Sequence, residues 1–290
     1  MKNTISFEKA AVMNYHYIFY PLQHFFDTMQ RLEVKNVDLW SGYPHFFIDE
    51  DFRNKAKEIC RMSRNAGTRI ICCTPEQCRY PVNMAATDRE TKERTIRYHL
   101  RCLEAAAALE APMYQVVPGW GYFDQPIDDA WDSMCDSLST ISRRAGELGI
   151  TVILEPLQII ESNLVGYPAD CRKALTDVGE KNLKIVVDTC HMAIRGIDFQ
   201  EYFDLLGDDI YHIHLNDYDQ VPWGEGSLPL KDYLSVMSKM HMIGTIHWRF
   251  ALFRTMSTLT SQWKTMSLAL GKHLMSNKQS CFHFIYYNSL

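Results

Sequence analysis

In the second half of this sequence, acidic and imidazole side chains follow directly on short apolar runs. Glu155 closes the run Val152-Ile153-Leu154, Asp188 closes Ile185-Val186-Val187 with His191 three residues on, and His214 lies at the end of Ile210-Tyr211-His212-Ile213. A carboxylate at the end of a buried strand is costly unless it is paired or bound to a metal. Two carboxylates and one imidazole, without a thiolate, form a mixed oxygen and nitrogen donor set. That set suits one divalent cation, with manganese first and cobalt, nickel, magnesium or zinc as alternatives. Taken singly, each residue has a plainer reading. Asp188 could cap a helix, His214 could be a satisfied core histidine, and Glu155 could pair with an arginine. Their places at the ends of three consecutive strands favour a shared site with Glu155, Asp188 and His214 as its ligands.

The elements that must carry these residues alternate strictly. Short β-prone runs at 10–13, 36–40, 68–73, 113–117, 151–154, 183–187, 210–215 and 245–248 are separated by helical patterns. The segment 21–32 places Leu22, Phe25, Phe26 and Met29 at helical spacing, and 88–109 is rich in helix formers. Eight such units, with strands apolar enough for burial on both faces, predict an α/β fold, a single (β/α)8 TIM barrel spanning 1–290 as one domain. An open doubly wound sheet would want a glycine-rich loop after its first strand, and Asn14-Tyr15-His16 is not one. In a closed barrel, chemistry belongs where the strands end.

Composition narrows the partners. A net charge of -5 with no basic patch argues against nucleic acid and for a small polar substrate. The nine cysteines are scattered, without a secretory segment at the start, and read as free thiols in a reducing cytoplasm. Cys72 and Cys73 are adjacent, so a strand sends them to opposite faces. No apolar stretch reaches the roughly 20 residues that cross a bilayer, which predicts a soluble protein without a membrane partner.

Particular motifs carry a family resemblance. Ile153-Leu154-Glu155-Pro156-Leu157 with Glu161-Ser162-Asn163, then Val187-Asp188-Thr189-Cys190-His191-Met192, then His212-Ile213-His214 leading to Gly224-Glu225-Gly226, resemble the xylose-isomerase-like sugar epimerases. Thr74-Pro75-Glu76, Tyr80-Pro81, Asn83, Trp40 and Pro44-His45 bring the chain nearer the ketose 3-epimerases, those acting on fructoselysine among them. The resemblance implies a divalent-metal-dependent isomerase that inverts C3 of a ketose or fructosamine through an ene-diolate. It also implies metal ligation by Glu155, Asp188 and His214, a catalytic role for Glu155 on one face of the sugar, and substrate contacts from Glu161 and His191. A homo-oligomer is implied in the same way.

One departure stands out. The family's strand-eight glutamate would work the opposite face of the sugar, yet Gly244-Thr245-Ile246 is followed three residues later by Arg249. A guanidinium neither binds a cation nor accepts a proton near neutral pH. No acidic residue lies after Asp232, and the resemblance stops near Ile246. Residues 247–290 therefore read as an atypical strand and helix, and a shifted reading frame would account for them. A divergent helix through Leu259, Trp263, Met266 and Leu270 is the alternative. Two other functions compete with the epimerase: an apurinic-site endonuclease, for which the strand-four end Val117-Pro118-Gly119-Trp120 lacks the extra histidines, and an inactive sugar-binding protein. His45, Glu76, Trp40 and Trp120 are further candidates for the barrel mouth, and Gln220 stands where some 3-epimerases place an arginine.

Overall fold

Eight short β-prone runs pair side by side in chain order and close on themselves. The computed structural model describes residues 9–49, 51–218, 226–239 and 247–250. Its strands are β1 (Ala10–Met13), β2 (Asn36–Ser41), β3 (Arg69–Pro75), β4 (Met113–Val116), β5 (Thr151–Leu154), β6 (Leu183–Asp188), β7 (Ile210–Leu215) and β8 (His247–Phe250). All are parallel, and β8 pairs with both β7 and β1 to complete the barrel. The last strand was expected at 245–248. Its observed start is His247, and residues 245 and 246 lie outside the described set.

Helices return the chain from each strand to the next: α1 (Leu22–Arg31), α2 (Phe52–Asn65), α3 (Arg89–Ala108), α4 (Ile127–Glu147), α5 (Pro168–Val178), α6 (Thr189–Ile194), α7 (Phe199–Leu206) and α8 (Leu230–Lys239). Local signals set their ends. The Asp88 carboxylate accepts the Thr91 amide at 2.8 Å to cap α3. Pro168 occupies the first turn of α5, and Gly179 ends that helix in the left-handed region at φ +69°.

Strand side chains alternate between two cores. Val12, Val37, Leu39, Tyr114, Val152, Leu154, Ile185, Val187, Ile213 and Leu215 pack outward against the helix layer, where Phe25, Phe26 and Met29 of α1 are fully buried. Each such large side chain contributes on the order of 1.5–3 kcal/mol. Ala11, Ile71, Cys72, Met113, Ile153 and Val186 fill the barrel interior. Cys72 and Cys73 accordingly fall in different cores, as alternation requires.

No helix among the described residues is long and apolar enough to cross a membrane. The segment 251–290, with the shifted-frame reading and the helix through Leu259, lies outside the described residues, as do Gln220, Gly224 and Glu225.

Candidate active site

The alternation that fills the barrel also builds the site. Ile153 and Val186 point inward as core, so the next inward positions on their strands, Glu155 and Asp188, lie one layer higher at the C-terminal mouth. On β7, Ile213 and Leu215 face the helices, which leaves His212 and His214 for the interior. Glu155, Asp188 and His214 are each at most 5% exposed.

The three converge. His214 Nδ1 lies 2.7 Å from Glu155 Oε1 and 3.7 Å from Asp188 Oδ2. Asp188 divides its two oxygens between tasks. Oδ1 accepts the amides of Cys190 at 2.8 Å and His191 at 3.2 Å, capping α6, while Oδ2 accepts from Asn216 Nδ2 and faces the site. The capping reading and the ligand reading of Asp188 are thus compatible. Glu155 is steered likewise: Gln115 Nε2 donates to Oε2 at 2.5 Å, leaving Oε1 toward His214. Two buried carboxylates and an imidazole at these distances fit a divalent cation, which offsets the cost of burying two like charges together. Glu155, Asp188 and His191 also offer ligand atoms within 4.8 Å of one another. His191 is therefore within ligand distance of the same two carboxylates.

His191 and Glu161 meet at the rim. His191 Nδ1 is 3.5 Å from Glu161 Oε2, and both atoms are buried without a hydrogen-bond partner among the described residues. They line a mouth recess of about 230 Å³ together with Trp40, Glu76, Glu155 and Asn216. Trp40 packs edge-on against Tyr15 at 5.1 Å. Glu76 spends Oε1 on the amides of Cys78 and Arg79, both at 2.8 Å, and the Arg79 guanidinium donates to the Tyr15 hydroxyl at 3.1 Å. Glu76 is thus a turn-former on the rim. Trp120 lines a separate, neighbouring cavity.

Several polar residues under the site were given no role from the sequence, although Thr74 and His212 fall within its motifs. Asp38 on β2, Thr74 on β3, Gln115 on β4 and His212 on β7 are all buried in the barrel interior. Thr74 Oγ1 stands 2.8 Å from Asp38 Oδ1 and 3.1 Å from Gln115 Oε1, so its one proton serves one of them at a time. Asp38 Oδ2 lies 3.8 Å from His212 Nε2 and 3.9 Å from His214 Nε2. His214 thus has a carboxylate near each ring nitrogen, close on Nδ1 and beyond hydrogen-bond length on Nε2. The signal was available: an acid in mid-strand between outward Val37 and Leu39 must face inward.

Two further described histidines, His45 and His99, are structural. His45, a mouth candidate, bridges two loops instead: Asn14 Nδ2 lies 2.9 Å from its Nδ1, and its Nε2 is 2.9 Å from the Tyr20 carbonyl. Burial holds its pKa below the ordinary value. His99 is enclosed against the Tyr114 hydroxyl at 2.7 Å, and burial lowers its pKa to about 3.

At the fourth corner, backbone register pairs residue 249 with His214 on β7 and Ala11 on β1. The Arg249 side chain lies outside the described part of the chain.

Comparison with known proteins follows the same lines. Residues 26–251 match the family model of the xylose isomerase-like TIM barrel. The chain is 28% identical over 220 residues to fructoselysine 3-epimerase of Escherichia coli O157:H7, a match covering 74% of this chain and 80% of that protein. It is 29% identical over 119 residues to D-psicose 3-epimerase of Agrobacterium fabrum, covering 38% and 41%. Among solved structures, 3-keto-D-glucoside 4-epimerase of E. coli superposes with a TM-score of 0.76 at 17% identity, over 90% of this chain and 98% of that one.

Proposed function

Because the chain belongs to the xylose isomerase-like TIM-barrel family, we propose that it is a divalent-metal-dependent sugar epimerase, inverting C3 of a ketose or fructosamine. The observation that carries this reading is the meeting of Glu155, Asp188 and His214, from three consecutive strands, at the mouth of the barrel. Its resemblance to fructoselysine 3-epimerase over most of the chain supports the same reaction class. Glu155, Asp188 and His214 would hold the ion, with manganese our first choice.

Inversion at a carbon beside a ketone requires removal of its proton on one face and return of a proton on the other. When bound, the cation would supply Lewis-acid polarisation of the substrate oxygens, which lowers the cost of the charge that develops there. The chain's own residues do the rest. Glu155, with Oε2 fixed by Gln115, presents a carboxylate of set orientation to one face. His191 Nδ1 and Glu161 Oε2, 3.5 Å apart and without a hydrogen bond to any described residue, would meet substrate hydroxyls at the rim. Burial of Glu155 and His191 limits competition from water at those two groups, while Glu161 is half-buried at the rim.

On the other face, residue 249 holds the register position at which the family resemblance implies a glutamate, and here it is arginine. We therefore expect binding of metal and sugar with slow turnover. The test is to incubate the manganese-supplemented protein with fructoselysine and with D-fructose in D2O, then follow deuterium entry at C3 by NMR. Deuterium at C3 with inversion supports the reading; saturable sugar binding with no exchange would leave a sugar-binding protein instead. We further propose a cytoplasmic single-domain protein that assembles as a homo-oligomer.

A further inference from the structure

The turn that carries Glu161 is not held by packing. Its two large apolar side chains, Ile159 and Ile160, are 58% and 83% exposed, so burial does little to fix residues 158–161 above the mouth. The turn closes on itself, with the Glu161 and Ser162 amides donating to the Gln158 carbonyl at 3.0 and 3.1 Å, but these bonds do not tie it to the barrel. Polar attachments on its two flanks do. On one flank Ser162 Oγ donates to the Gly119 carbonyl at 2.6 Å, and Asn163 exchanges two bonds of 2.9 Å with Gly121. On the other stands Arg195.

Arg195 caps the C-terminal end of α6, and its amide donates to the His191 carbonyl at 3.3 Å. Its guanidinium reaches across to the turn. Nε donates to the Leu157 carbonyl at 2.8 Å and Nη2 to the Ser162 carbonyl at 3.1 Å, so the two bonds bracket residues 158–161. Neither bond goes to a carboxylate. A planar fork of N–H groups spans two carbonyls at once, which the compact ammonium of lysine does not match. The guanidinium carbon also lies 4.9 Å from the Tyr167 ring centre. Gly166 leaves the room for it: a Cβ at that position would fall 2.1 Å from Arg195 Cζ.

His191 and Arg195 are one turn apart on the same short helix. One end of α6 therefore carries His191 and, through Arg195, grips the turn that carries Glu161. His191 Nδ1 and Glu161 Oε2 stand 3.5 Å apart, and neither atom has a hydrogen bond to a described residue. At that distance no direct bond sets their spacing, so it is set by where the two stretches of backbone are held.

We propose that Arg195 is a positioning residue: by clamping the carbonyls of Leu157 and Ser162 to the end of α6, it sets Glu161 opposite His191 before a sugar arrives. It acts through Glu161. The inference rests on the reading of the mouth as a sugar site.

Two independent substitutions release the clamp. Arg195→Met removes the donors while keeping much of the side-chain volume. Gly166→Ala leaves Arg195 in the chain but occupies its place; residue 166 is outside the left-handed region and the clash is with the far end of a flexible side chain, so the guanidinium moves and the backbone stays. The test measures, for the wild type, both variants and Arg195→Lys, amide hydrogen exchange over residues 157–166, manganese affinity, and D-fructose affinity of the manganese-loaded protein by calorimetry. Exchange in that segment should quicken by about tenfold or more in Arg195→Met and in Gly166→Ala, with Arg195→Lys in between. Manganese affinity should stay within about twofold while D-fructose affinity falls about tenfold. In a Glu161→Gln background, Arg195→Met should cost less than about twofold more, because its effect passes through the residue already changed. Unchanged exchange in both releasing variants, an equal loss of D-fructose affinity with and without Glu161, or a parallel fall in manganese affinity would overturn the assignment. A wild type that binds no D-fructose would refute the sugar reading of the mouth, and the exchange result would then decide the clamp alone.

Discussion

His214 Nδ1 lies 2.7 Å from Glu155 Oε1 across 59 residues of sequence, with Asp188 Oδ2 3.7 Å away on the strand between them. The pairing follows from barrel geometry. Residues at the same height on neighbouring parallel strands face the same side, and Asp188 and His214 are direct register partners. A cation held there would relieve the proximity of two buried carboxylates, so stripping it should cost stability as well as activity. With a chelator, thermal unfolding should shift down by several degrees relative to the manganese-loaded protein, as linkage requires of any ligand bound only by the folded state. Identical melting curves would contradict a resident ion.

Asp188→Asn separates the two tasks of that side chain. Asparagine retains an Oδ1 that can accept the Cys190 and His191 amides, so α6 should stay capped and the fold intact by circular dichroism. The charge toward the site is lost, and manganese affinity should fall by more than about a hundredfold. A variant that binds manganese normally would remove Asp188 from the ligand set.

Gln115 should matter although it is not itself one of the proposed ligands. Its Nε2 fixes Glu155 Oε2, and Gln115→Leu would leave that oxygen buried without the donor. Metal affinity is expected to drop by about 10–100-fold, the usual effect of losing an outer partner of a ligand. Unchanged affinity by titration calorimetry would mean that Glu155 holds its orientation without help.

His99 predicts an acid sensitivity far from the site. Its folded pKa is about 3 against an ordinary value of 6.5, so between these values the unfolded chain binds the extra proton. Stability from this residue is complete above about pH 6.5 and is lost as pH falls toward 3, at no more than about 1.4 kcal/mol per pH unit. Denaturant midpoints at pH 7, 6, 5 and 4 should fall less steeply for His99→Gln than for the wild type. Parallel slopes would place the sensitivity elsewhere.

Arg249 is in register with His214 and Ala11, the place where a fourth ligand would complete the ring of strands. Arg249→Glu should raise manganese affinity by about tenfold or more, since a guanidinium cannot ligate a cation. An unaltered affinity would mean that residue 249 does not reach the ion.

Much of this was legible in the chain because strands and core obey simple periods. The runs at 10–13, 151–154 and 210–215 coincide with β1, β5 and β7, and the change from apolar run to Glu155 or Asp188 marks the strand ends at the mouth. Layers were harder to see. Asp38, Thr74, Gln115 and His212 lie within strands, where a reading of each run as uniformly buried hides which positions face the barrel axis. The neighbouring cavity was not foreseen, since it depends on Asn83 and Asn163 binding the backbone of a loop some 40 residues away in each case. Such contacts have no periodic signature. Glu76, a mouth candidate from the sequence, bonds two amides of its own turn, and nothing in the residue type distinguishes that local role from a substrate contact.

The most direct test of the account is the stoichiometry of manganese binding, measured by electron paramagnetic resonance on the wild type and on Glu155→Gln, Asp188→Asn and His214→Ala. One ion per wild-type chain, with saturable binding lost in each variant, is the predicted result. A wild type that binds no ion, or three variants that bind it as the wild type does, would contradict the claim that these side chains share one cation.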